Sequence, residues 1–355
     1  MKDYLVNGKQ ALDLVDLRSD TFTLPTQEMR DAMASASVGD DVFEEDPTVN
    51  RLEAIAADLV GKEAALFVVS GTMGNLVANL THTQPGDEVV LGAHSHIYGY
   101  EVGGISRIGG LIPRLIDDSE GTIRPKQVLQ ALRGENIHYA PTTLVCMENS
   151  HNMSGGRVTD VAQTEALASF VHDQGFKLHM DGARIFNAAV ALGVPVSKLT
   201  KPVDSVMFCL SKGLSAPVGS MLAGDAEFIR RARKFRKILG GGMRQAGVIA
   251  AAGIVALEEM VGRLSEDHAR AQRLVDGLSR ISGLKVIPSN YQTNIVLIDV
   301  EGTGLSSDEF VHELDQKGIK VLTRNETALR AVIHRHIEDG DIDQAVAAFR
   351  QVATR

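Results

Sequence analysis

Five short apolar runs in this chain end on residue types that can hold or move charge. AALFVV is followed by Ser70-Gly71-Thr72-Met73-Gly74-Asn75, and DEVVLG by His94-Ser95-His96. LVCM leads to Glu148, Asn149 and His151, FKLHM to Asp181, Gly182 and Arg184, and VMFCL to Ser211 and Lys212. Lysine is seldom buried without a partner. Yet Lys212 closes an apolar run among Ser211, Gly213 and Ser215, with Pro217 opposing a return to helix. An amine desolvated there is an imine-forming nucleophile, and small neighbours leave room for a flat carbonyl compound. Gly71-Thr72 opens a helix whose first N–H groups suit an anion, although the same residues make a plain strand-to-helix turn. Asp181 reads equally as an N-cap of the next helix, with Arg184 as its surface partner. His94-x-His96 lacks a third metal ligand and reads more simply as a pair of turn histidines.

The elements around these residues form a repeating unit. Apolar runs of strand length alternate with helical stretches such as TMGNLVANLTHT, PKQVLQALRG and DVAQTEALASFVHDQG. Such βαβ units build a mostly parallel sheet, and ligands of such sheets sit outside the carboxyl ends of the strands. Residues 1–50 read as irregular, with a helix from Pro47 to Gly61. Residues 226–242 and 244–281 read as long helices, and from Gly283 a compact β/α group begins with GLKVIPS. The chain of 355 residues is therefore expected to form an α/β large domain over 1–270 and a small C-terminal α/β domain over 271–355.

A net charge of −9 argues against nucleic acid or an anionic membrane surface as the main partner. Cys146 and Cys209 lie in apolar runs and read as buried thiols of a reducing compartment. With no signal-like segment and no apolar run of about 18 residues, a cytoplasmic location is expected.

Each strand-end group is ambiguous alone, but the set matches one cofactor. Pyridoxal 5′-phosphate (PLP) requires a lysine for its aldehyde, an anion site for its phosphate and a carboxylate at its pyridine nitrogen. Lys212, Gly71-Thr72 and Asp181 are of those types, and His96 adds a flat side chain for the ring.

The runs DLRSDTFTLPT, VGDDVFEEDPTVNRLE, SGTMGNLVA, SHIYGYEVGG, MENSHN, HMDGARIFNA, SKGLSAPVGS and LGGGMRQAG resemble the L-threonine aldolases, PLP enzymes of fold type I. They span residues 16–253 densely, with weaker similarity beyond. The resemblance implies cleavage of L-threonine or L-allo-threonine to glycine and an aldehyde. It assigns Lys212 to the cofactor aldehyde, Gly71 and Thr72 to the phosphate, Asp181 to the ring nitrogen, His96 to the ring face and Arg184 to the cofactor hydroxyl. Ser19, Arg184 and Arg330 would hold the substrate carboxylate, with Tyr100 and Glu101 near its hydroxyl. The base for that hydroxyl would be His96, His138 or a water between them. Lys237 and Arg244, on either side of Gly240-Gly241-Gly242, would reach the phosphate of a neighbouring subunit, making a homodimer or homotetramer with shared sites. The other basic residues of RRARKFRK read as a solvated helix face.

Two departures from the family pattern stand out. Asp41-Val42-Phe43-Glu44 replaces a run that often reads DVYG, which removes a phenol at Phe43, and Ser215 replaces a glycine. Alternative readings are phenylserine cleavage, β-elimination or transamination on the same scaffold, and a binding protein that retains the fold. A nicotinamide dehydrogenase is disfavoured because no GxGxxG follows the first strand of the alternating pattern.

Overall fold

A computed structural model describes residues 5–6, 9–10, 14–287, 290 and 292–354. The chain divides into two compact units, one formed by 24–262 and the other by 1–23 with 263–355.

The 24–262 unit is built on a seven-stranded sheet: β1 (Ala64–Val68), β2 (Glu88–Gly92), β3 (Ile112–Ile116), β4 (Thr142–Glu148), β5 (Lys177–Asp181), β6 (Ser205–Cys209) and β7 (Ser220–Gly224). Their spatial order is β1-β7-β6-β5-β4-β2-β3. β7 runs antiparallel to both neighbours, and the other pairs are parallel. β1 and β6 therefore point the same way, and the carboxyl ends of β1, β2, β4, β5 and β6 share one edge. The strands in the middle are buried along almost their whole length, which is why they read as continuous apolar runs rather than alternating ones.

The helix Gly71–His82 follows β1 and packs Val77 and Ala78 against Met207 and Leu222. Gly74 is required there, because a Cβ would lie 2.6 Å from Met207 Cγ. The expected helix over 244–281 is two helices, Gly247–Glu259 and Leu264–Leu278, broken at residues 260–263. The region expected to be irregular also contains a helix, Gln27–Ala34, capped by Thr26.

The second unit has a four-stranded antiparallel sheet in the order Lys285–Ile287, Ile295–Asp299, Ala328–Val332, Leu322–Thr323. The last two residues of the GLKVIPS run lie outside the described residues. Val15–Asp16 pairs in parallel with Ile319–Lys320, and Leu17 joins Leu274, Phe310 and Phe349 in one apolar core. Residues 1–23, expected to accompany the large domain, thus contribute to this unit, as does the helix from Leu264. Burial of Val15 and Leu17 against a core some 250 to 330 residues later in the chain is the physical reason.

Candidate active site

The carboxyl edge of the sheet gathers most of the residues singled out above from the 24–262 unit. Ser70 caps the helix after β1 by accepting from Met73 N at 3.2 Å. That leaves the first N–H groups, those of Gly71 and Thr72, for an acceptor outside the helix. A Cβ on Gly71 would lie 3.0 Å from Cys209 Sγ, so the helix start sits tightly over the end of β6.

Asp181 ends β5 and is 1% exposed. It is not an N-cap: Arg184 holds that position for the helix Ile185–Leu192. Arg184 is not a surface partner either, because it is buried and donates from Nη1 to Asn152 Oδ1 at 3.1 Å. Asp181 Oδ1 accepts from Ala183 N at 3.0 Å and Oδ2 from Asn75 Nδ2 at 2.9 Å. The same Asn75 nitrogen lies 2.8 Å from Glu101 Oε1, which also meets His96 Nδ1 at 2.9 Å. His96, Glu101 and Asp181 therefore offer polar atoms within 4.8 Å of one another.

Glu148, at the end of β4, fixes the surrounding loops. It accepts from His96 N at 2.8 Å and from Asn152 N at 2.8 Å. Burial works to lower the His96 pKa, but the hydrogen bond to Glu101 and the charges of Asp181 and Glu101 outweigh it and hold the imidazole above its ordinary value, with Lys212 pulling the other way. Lys212 and Asp181 thus both act on His96 electrostatically. Burial and the neighbouring Asp181 raise the Glu101 carboxyl. His96 stacks on the half-exposed Tyr100 at 5.6 Å between ring centroids.

His94 is held apart from His96. It meets Asp118 Oδ1 at 2.9 Å, and His151 meets Asp118 Oδ2 at 2.8 Å. Lys212 follows β6 in a tight turn whose Ser215 N donates to Lys212 O at 2.9 Å. Ser215 has φ +65° and a fully buried hydroxyl with no hydrogen-bond partner among the described residues. Glu44 also has a positive φ, +60°, so both positions where the family pattern has glycine are in the left-handed region. Phe43, where a phenol is missing, is 70% exposed.

Other predicted residues lie elsewhere. His138 is exposed in the loop before β4, with its backbone N donating to Asn136 Oδ1 at 3.0 Å. That is the amino end of a seven-residue strand whose other end carries Glu148, a separation of roughly 20 Å. This chain does not bring His138 to its own strand-end group. Lys237 and Arg244 are exposed, and Arg244 Nη1 donates to Asp40 Oδ2 at 2.9 Å. The glycine turn between them is close-packed, since a Cβ on Gly241 would lie 2.6 Å from Met73 Sδ. Arg236, expected on a solvated face, is instead 3% exposed and pairs with Asp41 at 2.8 Å. Ser19 and Arg330 belong to the other unit. There Ser19 Oγ accepts from Thr21 N, and Arg330 Nη1 donates to Arg18 O at 3.3 Å.

Sequence reasoning missed His179, Ser205 and His82, and gave Asn75, which follows β1, no role. One signal was available: His179 and Asp181 are two apart in KLHMD and so share a face of β5.

The solved structure of a Leishmania major threonine aldolase matches this chain with a TM-score of 0.82, at 18% identity, over 95% of this chain and 99% of that one. At that identity the likeness is one of fold, the type I fold of PLP-dependent enzymes. Sequence carries the family. Residues 16–302 match the family model described as beta-eliminating lyase. The chain is 47% identical to low-specificity L-threonine aldolase 1 of Arabidopsis thaliana, over 95% of this chain and 96% of that protein. It is 40% identical to the low specificity L-threonine aldolase of Escherichia coli K12, over 96% of this chain and all of that protein. The chain belongs to the beta-eliminating lyase family, among its low-specificity threonine aldolases.

Proposed function

We infer that the chain is a PLP-dependent carbon–carbon lyase that cleaves L-threonine and L-allo-threonine to glycine and acetaldehyde. The observation that carries this reading is the buried Asp181 carboxylate beside His96 and within electrostatic reach of Lys212, in a chain 40–47% identical to named threonine aldolases. The residues present fit the cofactor: a helix start with N–H groups left for an anion, a buried carboxylate for a cationic ring nitrogen, an imidazole and an amine. When bound, PLP supplies the electron sink for the pair released by Cα–Cβ cleavage.

The protein's own groups do the rest. Lys212 would bind the cofactor aldehyde, and the N–H groups of Gly71 and Thr72 would bind its phosphate. Asp181 would keep the ring nitrogen protonated, and Arg184 would serve the cofactor hydroxyl and the substrate carboxylate. Ser19 and Arg330 are proposed for that carboxylate as well. His96 donates a hydrogen bond from Nδ1 to Glu101, so Nε2 is the atom that takes the β-hydroxyl proton, with Tyr100 and Glu101 keeping the imidazole oriented.

Lys237 and Arg244 act, in this reading, on the site of a neighbouring subunit in a homodimer or homotetramer. Two buried free thiols, Cys146 and Cys209, suit a reducing compartment such as the cytoplasm. Among the described residues no helix is long and apolar enough to cross a membrane.

The test is purified protein with each threonine diastereomer. Acetaldehyde and glycine in equal amounts are expected. Ammonia with a keto acid would instead identify an eliminating lyase. For the shared site, Lys212→Ala and Arg244→Ala are each expected to be badly impaired, and random mixing should restore about a quarter of the activity. Hybrids that form without recovery would refute sharing.

A further inference from the structure

Behind Asp181 a line of polar side chains crosses the buried face of the sheet. Asn75 Oδ1 lies 3.0 Å from His179 Nε2. His179 Nδ1 lies 2.8 Å from Ser205 Oγ, which lies 2.8 Å from His82 Nε2. His179, Ser205 and Asn75 are 0% exposed.

We propose that His179 is a positioning residue, held by Ser205 and His82 as its Nε2–H tautomer so that it locks the Asn75 amide with its nitrogen on both Asp181 and Glu101. The direction of every bond in the line follows from its end. Two carboxylates accept at Asn75 Nδ2, so the amide oxygen must face the other way. That oxygen needs a donor, and His179 Nε2 is the atom beside it. Burial presses the His179 pKa down to about 4, against the pulls of Asp181 and the Ser205 backbone, so the ring is neutral, and with Nε2 donating to Asn75 its Nδ1 carries no proton. The Ser205 hydroxyl therefore donates to Nδ1 and accepts from His82 Nε2. Burial, with His179 adding to it, presses His82 down to about 3, so it too is a neutral Nε2–H ring. Asp204, Lys177 and Arg231 are the other charges acting on His82, and they do not reverse that direction. His82 is further fixed by stacking on Phe228 at 4.4 Å.

All the dipoles in the line point toward the two carboxylates. Aligned hydrogen bonds polarise one another in a low-dielectric interior. The line thus supports a negative Asp181 with neutral groups, leaving its charge for a cationic ring nitrogen. This last step rests on the cofactor reading; the tautomer assignment does not.

The first test is ¹⁵N-histidine NMR of the purified protein, with and without added PLP. His179 and His82 are expected to show the neutral Nε2–H pattern, unchanged between about pH 5.5 and 8.5. An Nδ1–H pattern at His179, or its titration in that range, would overturn the proposal, while failure of PLP to bind would leave this result intact and sink only the cofactor reading. The second test compares His179→Leu, which removes the donor, with His179→Gln, which can still donate to Asn75. The Leu variant is expected to lose tenfold or more in PLP affinity and to shift the pH at which the bound-cofactor absorption changes, and the Gln variant to recover most of both. Equal behaviour of the two folded variants would refute a positioning role. Should the Leu variant fail to fold, Ser205→Ala serves: a changed His179 tautomer or pKa is expected, and an unaltered His179 spectrum would refute the line.

Discussion

The two edges of the central sheet both bury carboxylates, but they hold them differently. At the amino edge, Glu88 is met by Arg114 and Arg133, each at 2.7 Å, and Asp204 by Lys177 and His172, each at 2.8 Å. At the carboxyl edge, Asp181 takes its hydrogen bonds from a backbone N–H and the neutral Asn75 amide, and Glu148 takes two from backbone N–H groups. Burial works to raise both groups, but hydrogen bonds from Arg114 and Thr142 to Glu88, and from Lys177, Leu178 N and His172 to Asp204, together with the arginine and lysine charges, lower them. Neutral donors stabilise an anion without cancelling its charge. Glu88 and Asp204 are thus met by basic side chains, whereas Asp181 and Glu148 take these hydrogen bonds from neutral donors.

Breaking the carboxyl edge should have the largest effect. Lys212→Ala should abolish turnover and the borohydride-trappable link to PLP. Asp181→Asn keeps shape but removes charge, and kcat should fall by several orders of magnitude with the circular dichroism spectrum unchanged. A near-normal rate in either variant would show that the edge carries no such chemistry.

Titration separates the edges next. His179 and His82 have folded pKa values near 4 and 3, below the roughly 6.5 of an unfolded histidine. The unfolded chain therefore takes up protons first, and their contribution is lost as pH falls from about 6.5 toward 4 and 3. His96 and His151 are raised, so their contribution is complete below about 6.5 and lost above it. Urea unfolding across pH should thus show greatest stability near 6.5 and a loss on the order of 3 kcal/mol by pH 4 from each of the two buried histidines. A flat profile over that acid range would contradict the assigned directions.

Breaking the amino edge should unfold rather than inactivate. Glu88→Gln leaves Arg114 and Arg133 without their carboxylate and should cost roughly 2 kcal/mol in urea unfolding with kcat unchanged. A fall in kcat without loss of stability would erase the distinction between the edges.

The smallest effect is expected in the Lys212 turn. Ser215→Gly relieves a positive φ and an unpartnered buried hydroxyl, and should add about 1 kcal/mol to stability. A loss of stability would mean that the hydroxyl is bonded after all.

Much of the fold was legible because each element carries a local signature. Strands such as VVLG and VMFC are buried on both faces and read as apolar blocks, and the helices between them have caps and a 3.6-residue period. The break at residues 260–263 was not legible, because apolar periodicity continues on both sides of it. The strand-end row around Lys212, Asp181 and His96 was legible from its residue types. The line from Asn75 through His179 to His82 was not: its hydrogen bonds join residues 104, 26 and 123 positions apart.

Residue order alone determined the alternation of strands and helices, and with it which side chains stand at carboxyl ends. Chain direction within a βαβ unit is enough for that. Tertiary structure decided which of those groups share a charge, that Arg236 is buried while Lys237 is not, and that His96 and His138 stand at opposite ends of neighbouring strands. Those outcomes depend on register and packing between segments far apart in the chain, where one residue of shift moves a side chain to the other face.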